Sequence, residues 1–150
     1  MIKKEYPYRL WKLGKDFKRY AELIFKNKIN GAGSRPLYFM IGHSFELILK
    51  SFLLTKGIEL KTLKKNRYGH NLLKLFKLAM KYKEFQEIPG IKEIESRVDS
   101  LSAYYEAKDF EYIETGIMFV KHPKVLFEDF DFLSKICEKT CEAFINKKQS

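Results

Sequence analysis

One segment constrains the fold of this chain more than any other, because it predicts a helix that is apolar on almost every side. This helix is expected to span about residues 35–56. Its axis is surrounded by ten large apolar side chains: Phe39, Met40, Ile41, Phe45, Leu47, Ile48, Leu49, Phe52, Leu53 and Leu54. A helix of this kind has to be buried. Three ionisable residues interrupt it, so we expect the core helix of a folded domain and no membrane span.

Four further helices are predicted from apolar residues spaced three and four apart. They cover about residues 8–27, 72–82, 91–107 and 124–146. Asn71 is the expected N-cap of the helix that begins at Leu72, and Lys56-Gly57 is the expected end of the central helix. The pattern predicts an all-α fold, an up-and-down bundle of about five helices in a single domain over residues 1–150.

One stretch before the last helix does not follow the helical pattern. Residues 109–122 are rich in aromatic and β-branched side chains, with Gly116 in the middle. Such a composition fits a short β-hairpin. An ordered loop that crosses the bundle is the alternative.

The N-terminal residues and the two cysteines predict a cytoplasmic protein. No apolar core follows the lysines near the N-terminus, so no signal peptide is expected. The two cysteines, Cys137 and Cys141, share one face of the predicted last helix and are interpreted as reduced packing residues. No further cysteine or nearby histidine completes a metal site, and we expect neither a metal nor another cofactor.

Charge is distributed unevenly along the chain. The net charge is +10, but residues 1–83 carry +15 and residues 84–150 carry −5. This asymmetry favours a polyanion such as RNA, or an acidic protein, as the partner of the first half. The alternative is that both halves contribute to one solvated surface without a specific partner.

Three ionisable residues lie together on the otherwise apolar helix. His43, Glu46 and Lys50 fall within about 60° of one another at helical periodicity, and they therefore form one polar strip. Buried ionisable groups need partners. The strip is either an internal network in which Glu46 accepts from Lys50, or the lining of a cleft that binds a phosphate or nucleotide.

A second polar region surrounds His70. It follows a basic connection that contains Lys61, Lys64, Lys65 and Arg67. As the start of a helix, this region could accept an RNA phosphate on free backbone N–H groups and cations. The other interpretation, compatible with the first, is that His70 packs inward and bonds Glu46.

The order of these motifs resembles that of the HEPN family (higher eukaryotes and prokaryotes nucleotide-binding domains). The segment from His43 to Lys50 matches the family's H-x-x-E-x-x-x-K helix, and Gly69-His70-Asn71-Leu72 matches its G-H-[DN]-L helix start. Tyr104-Tyr105 and residues 108–112 also resemble the family's segment before the last helix. The resemblance covers about residues 35–145, and it adds Tyr105 to the polar network or cleft.

The resemblance implies a helical bundle, commonly dimeric, that works on or near RNA in toxin–antitoxin or phage-defence systems. Many members are metal-independent endoribonucleases whose Arg and His, about four to six positions apart, meet across a dimer. This sequence departs from that spacing, because only two residues separate Arg67 from His70. Arg67 and His70 are the nearest substitute and hence the candidate catalytic pair.

Three functional hypotheses follow. The first is a HEPN-like module that binds RNA, a nucleotide or a partner protein, as a homodimer and without established catalysis. The second is a metal-independent endoribonuclease toxin, in which His70 acts as general acid or base and a cation stabilises the developing charge. The third is an accessory subunit of a separate minimal nucleotidyltransferase. An antitoxin or that nucleotidyltransferase would be the protein partner.

Overall fold

The fold is helical throughout the part of the chain that the computed structural model describes, residues 2–27, 35–65, 68–106 and 121–147. The helices in these ranges are α1 (Tyr6–Lys26), α2 (Arg35–Thr55), α3 (Leu60–Lys64), α4 (Leu72–Ala79), α5 (Lys83–Gln86), α6 (Ile91–Glu106) and α7 (Pro123–Asn146). No strand occurs within the same ranges. The all-α class that the sequence predicts is confirmed.

Helix α2 forms the centre of the core, as its apolar composition predicts. Fifteen of its 21 residues are buried, and α1, α4, α6 and α7 all contact it. Its aromatic side chains meet those of other helices: the rings of Phe45 and Phe130 are 5.6 Å apart, and those of Phe52 and Phe85 are 4.5 Å apart. Two serines on this buried helix satisfy their hydroxyls locally by donating to the carbonyls of Ile41 and Ile48.

The same helix is long and apolar enough to cross a membrane by length and composition, and it is the one such helix in the described ranges. Of its most apolar window, 83% is buried inside the fold. Burial to this extent is characteristic of a core helix, which is the packing that the sequence predicts for it.

The C-terminus of α2 confirms the glycine signal in the sequence. Gly57 has a φ of +87°, in the left-handed region where glycine costs least. The Gly57 and Ile58 amides donate to the carbonyls of Leu54 and Leu53 at 3.1 and 3.3 Å. This pattern is a Schellman motif, which satisfies two carbonyls at the end of the helix.

The sequence predicts about five helices, whereas the described ranges contain seven. The two additional helices, α3 and α5, are short and are not predicted by the sequence pattern. Helix α3 lies in the basic connection, where it carries the fully buried Leu63 into the core. The predicted helix over residues 72–82 ends at Ala79, and α5 follows. In one straight helix, Phe76 and Phe85 would point in opposite directions. The break brings both rings into the core, 5.9 Å apart. The predicted hairpin or loop covers residues 109–122, of which 109–120 lie outside the described ranges.

Helix α7 is tied to its neighbours by polar contacts as well as apolar ones. The indole Nε1 of Trp11 on α1 donates to the Ser134 carbonyl and hydroxyl oxygens at 3.1 and 2.9 Å. The Arg97 guanidinium on α6 makes two hydrogen bonds to the buried Asp129 carboxylate, at 2.6 and 2.8 Å. The second contact was not predicted, although an acid among the apolar residues of the last helix needs such a partner.

The two cysteines on α7 are buried, unpaired thiols, as the packing interpretation predicts. Burial raises the pKa of Cys141 to about 11, and burial also raises the pKa of Cys137. Both groups therefore stay protonated, and unreactive as nucleophiles, at neutral pH.

Helices α1 and α2 approach closely at Gly14. A Cβ at this position would lie 2.8 Å from the Ile48 side chain and 3.1 Å from the Ser44 backbone carbonyl. The second neighbour is backbone on the most constrained helix of the fold, so it has little freedom to move. Gly14 thus sets the distance between the two helices.

We expect Gly14→Ala to lower the free energy of unfolding in spite of the better helix propensity of alanine. Overpacking costs about 1–3 kcal/mol, against a gain of about 1 kcal/mol for replacing glycine inside a helix. Urea unfolding followed by circular dichroism measures the difference. Gly69→Ala is the matched control, since its Cβ would meet only ordinary contacts of 3.5 Å or more. Equal stability of the two variants would contradict the close approach.

Candidate functional site

The candidate site is built around the carboxylate of Glu46, which is only 3% exposed in the middle of α2. Lys50 Nζ, one turn later, donates to Oε1 at 2.5 Å. The Tyr105 hydroxyl, from α6, donates to Oε2 at 2.6 Å, and His70 Nδ1 lies 3.0 Å from the same oxygen. Together with His43, these residues form what we call the Glu46 cluster. It joins the two polar regions that the sequence singles out.

The surroundings of Glu46 keep it ionised. Burial alone would raise its pKa, but hydrogen bonds from His43, Lys50 and Tyr105 and the charge of Lys50 outweigh burial and lower the pKa of Glu46 from 4.5 to about 2. The carboxylate is therefore an anion at neutral pH, and it acts only as a hydrogen-bond acceptor. Every neighbour that faces it has to present a proton.

This requirement fixes the tautomer of His70. Because Nδ1 faces an ionised oxygen at 3.0 Å, the ring carries its proton on Nδ1. The side chain of His70 is nevertheless 66% exposed, so Nε2 lies at the open edge of the ring. The bond to Glu46 that the sequence predicts is present, whereas the predicted inward packing is not. The Glu46 carboxylate therefore holds the ring of His70 in place, while most of the side chain faces solvent.

His43 occupies a more enclosed position in the same cluster. Its Nδ1 lies 3.1 Å from the Tyr105 hydroxyl and 3.5 Å from Glu46 Oε2. That hydroxyl donates its proton to Glu46 Oε2, and its oxygen can accept a hydrogen bond from His43 Nδ1. The ring of His43 packs edge-on against Phe17 at 4.6 Å and stacks on Phe39 at 6.2 Å. The aromatic neighbours hold His43 in place and leave it only partly exposed.

Tyr105 reaches Glu46 because α2 has a glycine where the ring crosses it. A Cβ on Gly42 would lie 2.8 Å from the Tyr105 ring. The sequence predicts Tyr105 as a member of this network, but it does not identify Gly42, Phe17 and Phe39 as residues of the site. Gly42 could have been found, since a glycine inside a long buried helix indicates a close approach by another element.

The start of α4 is less open to an anion than the sequence suggests. Asn71 caps it as predicted, accepting from the Lys74 amide at 2.9 Å. The Leu73 amide donates to the buried Ser102 hydroxyl at 3.0 Å. With two amides of the first turn occupied, this helix end is not the array of free N–H groups that an anion would need.

The predicted basic residues lie near His70 to different extents. Lys65 is beside it, because the Lys65 carbonyl accepts from the amides of Tyr68 and Gly69 at 2.9 and 2.8 Å. Lys64 ends α3 and is exposed, whereas Lys61 pairs with Glu59 at 3.1 Å.

Arg67, the predicted catalytic partner of His70, lies outside the described residues. The backbone carbonyls of Lys64 and Lys65 lie close to Gly69, so these two exposed lysines and His70 belong to adjoining segments.

We expect Glu46→Gln to lower the free energy of unfolding at pH 7 by roughly 3 kcal/mol, because it leaves the Lys50 ammonium buried without its counter-charge. The lowered pKa gives this difference a pH dependence. The stabilisation from the Glu46 carboxylate is complete above its ordinary pKa of 4.5 and is lost as the pH falls toward about 2. Urea unfolding at pH 7, 5, 4 and 3 should therefore show wild type and variant converging at low pH.

A double variant distinguishes the effect of the unpaired Lys50 charge on stability from the effect of the changed side-chain shape. Glu46→Gln combined with Lys50→Met removes both charges and leaves no unpaired ammonium. We expect it to recover much of the stability at pH 7 and to show a flatter pH dependence than wild type. A gap between wild type and Glu46→Gln that stays constant from pH 7 to 3 would contradict the ionised, paired state of Glu46.

The geometry of the Glu46 cluster is a histidine oriented by a buried carboxylate, an arrangement that serves anion binding and proton transfer. No family model, curated protein or solved structure matches this chain. The function is therefore inferred from the contacts of the cluster itself.

Proposed function

We propose that the protein is a HEPN-like up-and-down helical bundle that binds RNA at the surface formed by His70, Lys64 and Lys65. The observation that carries this proposal is the presentation of His70. Its Nδ1 is bonded to a buried, ionised carboxylate, while its side chain is 66% exposed. The bond to Glu46 holds the ring in a fixed direction, which a histidine that meets a ligand requires.

The charges around His70 favour an anion as the ligand. Lys50 offsets the charge of Glu46 within the cluster, so the carboxylate does not repel an anion at the surface. Lys64 and Lys65 add two exposed cations, and neither makes an ion pair with a described residue. A phosphate group placed among them would accept from one or two ammonium groups, and also from His70 Nε2 when the ring carries both protons.

The extent of the basic charge favours a polymer over a mononucleotide. Residues 1–83 carry a net +15, far more than the few charges of one nucleotide, and a nucleic acid backbone gains affinity from each phosphate that is neutralised. The H-x-x-E-x-x-x-K and G-H-[DN]-L motifs, which supply Glu46, Lys50 and His70, resemble those of a family that works on or near RNA. RNA is therefore the proposed polyanion.

Binding is tested by fluorescence anisotropy with a labelled single-stranded oligoribonucleotide. We expect Lys64→Glu with Lys65→Glu to reduce affinity at least tenfold and to lower the slope of log affinity against log salt by about one per lost phosphate contact. Lys135→Glu with Lys139→Glu, on the exposed side of α7, makes the same change in net charge and should have a small effect. Equal losses for the two pairs would contradict a specific RNA surface at His70.

A second function, metal-independent RNA cleavage, is favoured by the His70–Glu46 pair. A carboxylate on Nδ1 fixes the tautomer of the ring and stabilises the imidazolium that forms when Nε2 takes a proton. In the proposed step, His70 Nε2 removes the proton of a ribose 2′-OH. The 2′-oxygen forms a bond to the adjacent phosphorus, and the bond from phosphorus to the 5′-oxygen of the next nucleotide breaks. A second acid, or water, protonates the leaving oxygen, while Lys64 or Lys65 offsets the developing charge.

Cleavage and binding are separated by one set of measurements. Single-stranded RNA is incubated in EDTA with wild type and with His70→Ala, and both affinity and products are followed. If the protein is a nuclease, His70→Ala should abolish cleavage while lowering affinity only a few-fold, and a 2′-deoxy substitution at the cut position should protect the strand. Intact RNA at saturating wild-type protein would leave the binding function alone. Equal cutting by wild type and variant would place the activity elsewhere.

A further inference from the structure

The outward face of α1 carries most of the exposed apolar side chains in the described part of the molecule. Four large hydrophobic residues are exposed in the described ranges. Three of them lie on α1: Leu13, Tyr20 and Leu23, whose exposed fractions are 44%, 58% and 47%. Their spacing places them within an arc of about 80°. They form one stripe, roughly 15 Å long, on the side of α1 away from the buried Trp11 and Ala21.

This stripe has the spacing of a coiled-coil seam with one basic border. Leu13 and Tyr20 are seven residues apart, as are successive a positions, and Leu23 takes the following d position. The g positions are then Lys12, Arg19 and Lys26. All three are exposed, and none makes an ion pair with a described residue. Asp16 is the one polar residue of the seam.

The other border of the stripe belongs to the bundle. Leu10 and Ile24 pack against the core, and Phe17 contacts His43 on α2. Lys18 is excluded from the basic border, since it pairs with Glu22 and with Asp131 of α7 at 2.6 and 3.0 Å. The three unpaired cations therefore line only the solvent side, where a second helix could lie along α1.

We infer that this face of α1 is a docking surface for an acidic amphipathic helix of a partner protein. Apolar residues of the partner would cover the stripe, and its Glu or Asp residues would pair with Lys12, Arg19 and Lys26. An RNA backbone would contact the three cations but not the aliphatic Leu13 and Leu23. A lipid surface fits less well, because the stripe is narrower than the apolar face, about 100° or wider, of an amphipathic helix that buries one side.

The test uses two synthetic peptides and the full chain. Both peptides are amphipathic helices with leucine at a and d, one with glutamate and the other with lysine at e and g. Fluorescence anisotropy of each labelled peptide is measured at low salt and at 0.5 M salt. We expect the glutamate peptide to bind at least tenfold more tightly than the lysine peptide at low salt, and the difference to shrink at high salt.

Charge reversal on α1 provides the decisive variant. Lys12→Glu, Arg19→Glu and Lys26→Glu together should reverse the preference, so that the lysine peptide binds more tightly. Leu13→Ser with Leu23→Ser should weaken binding of both peptides. Lys92→Glu, Lys135→Glu and Lys139→Glu change three exposed lysines elsewhere by the same total charge, and they should preserve the wild-type preference.

Circular dichroism checks that each variant keeps its helical content, since all the substituted side chains are exposed. Equal affinity for the two peptides, or a preference that the α1 reversal leaves unchanged, would overturn the proposal. Sedimentation with vesicles that contain phosphatidylserine tests the lipid alternative. Binding of these vesicles without any peptide binding would overturn the proposal in favour of a membrane surface.

Discussion

The buried carboxylate of Glu46 is the interaction on which the arrangement of the other helices depends. A single anion in the middle of an apolar helix has to collect donors, and it collects them from three parts of the chain: Lys50 on α2, His70 just before α4, and Tyr105 near the end of α6. Removing any one donor leaves part of a buried charge unsatisfied, which is costly in a low-dielectric interior. The apolar contacts of α2 bring these elements together, but they specify position loosely. The bonds to Glu46 add specific contacts that fix the positions of His70 and Tyr105 relative to α2.

The same contacts connect stability to chemistry. Because Glu46 is ionised and accepts from His70 Nδ1, the ring cannot turn its other nitrogen inward without losing a charge-assisted hydrogen bond. Nε2 therefore lies on the side of the ring away from Glu46, and the Lys65 carbonyl accepts from the Tyr68 and Gly69 amides just before His70. The network that joins these helices also orients the ring of His70.

The sequence predicted the parts of this structure that are local, and it missed those that depend on tertiary contacts. Burial of α2, the Asn71 cap and the pairing of Glu46 with Lys50 follow from spacing along one helix, and all are present. The break between α4 and α5 was missed because it is imposed by the need to bury Phe85, which periodicity within 72–82 does not reveal. The occupied start of α4 was missed for a similar reason, since Ser102 lies on a distant helix. The path of Tyr105 over Gly42 likewise depends on how α6 crosses α2.

The uneven charge of the chain acquires a physical explanation from the packing of α2. A helix buried on nearly every side offers little surface, and the ionisable residues in its middle, His43, Glu46 and Lys50, lie in one internal cluster. The basic charge of the first half must then lie on the elements that cover α2 and on their connections. Two of these places are the exposed Lys64 and Lys65 near His70, and the outer face of α1, where cations border an apolar stripe. The first combination suits a phosphate, which needs donors and no apolar contact. The second suits an acidic helix, which needs both. On the two proposals above, the excess of lysine serves two surfaces of different chemistry, whereas its total alone suggests only one.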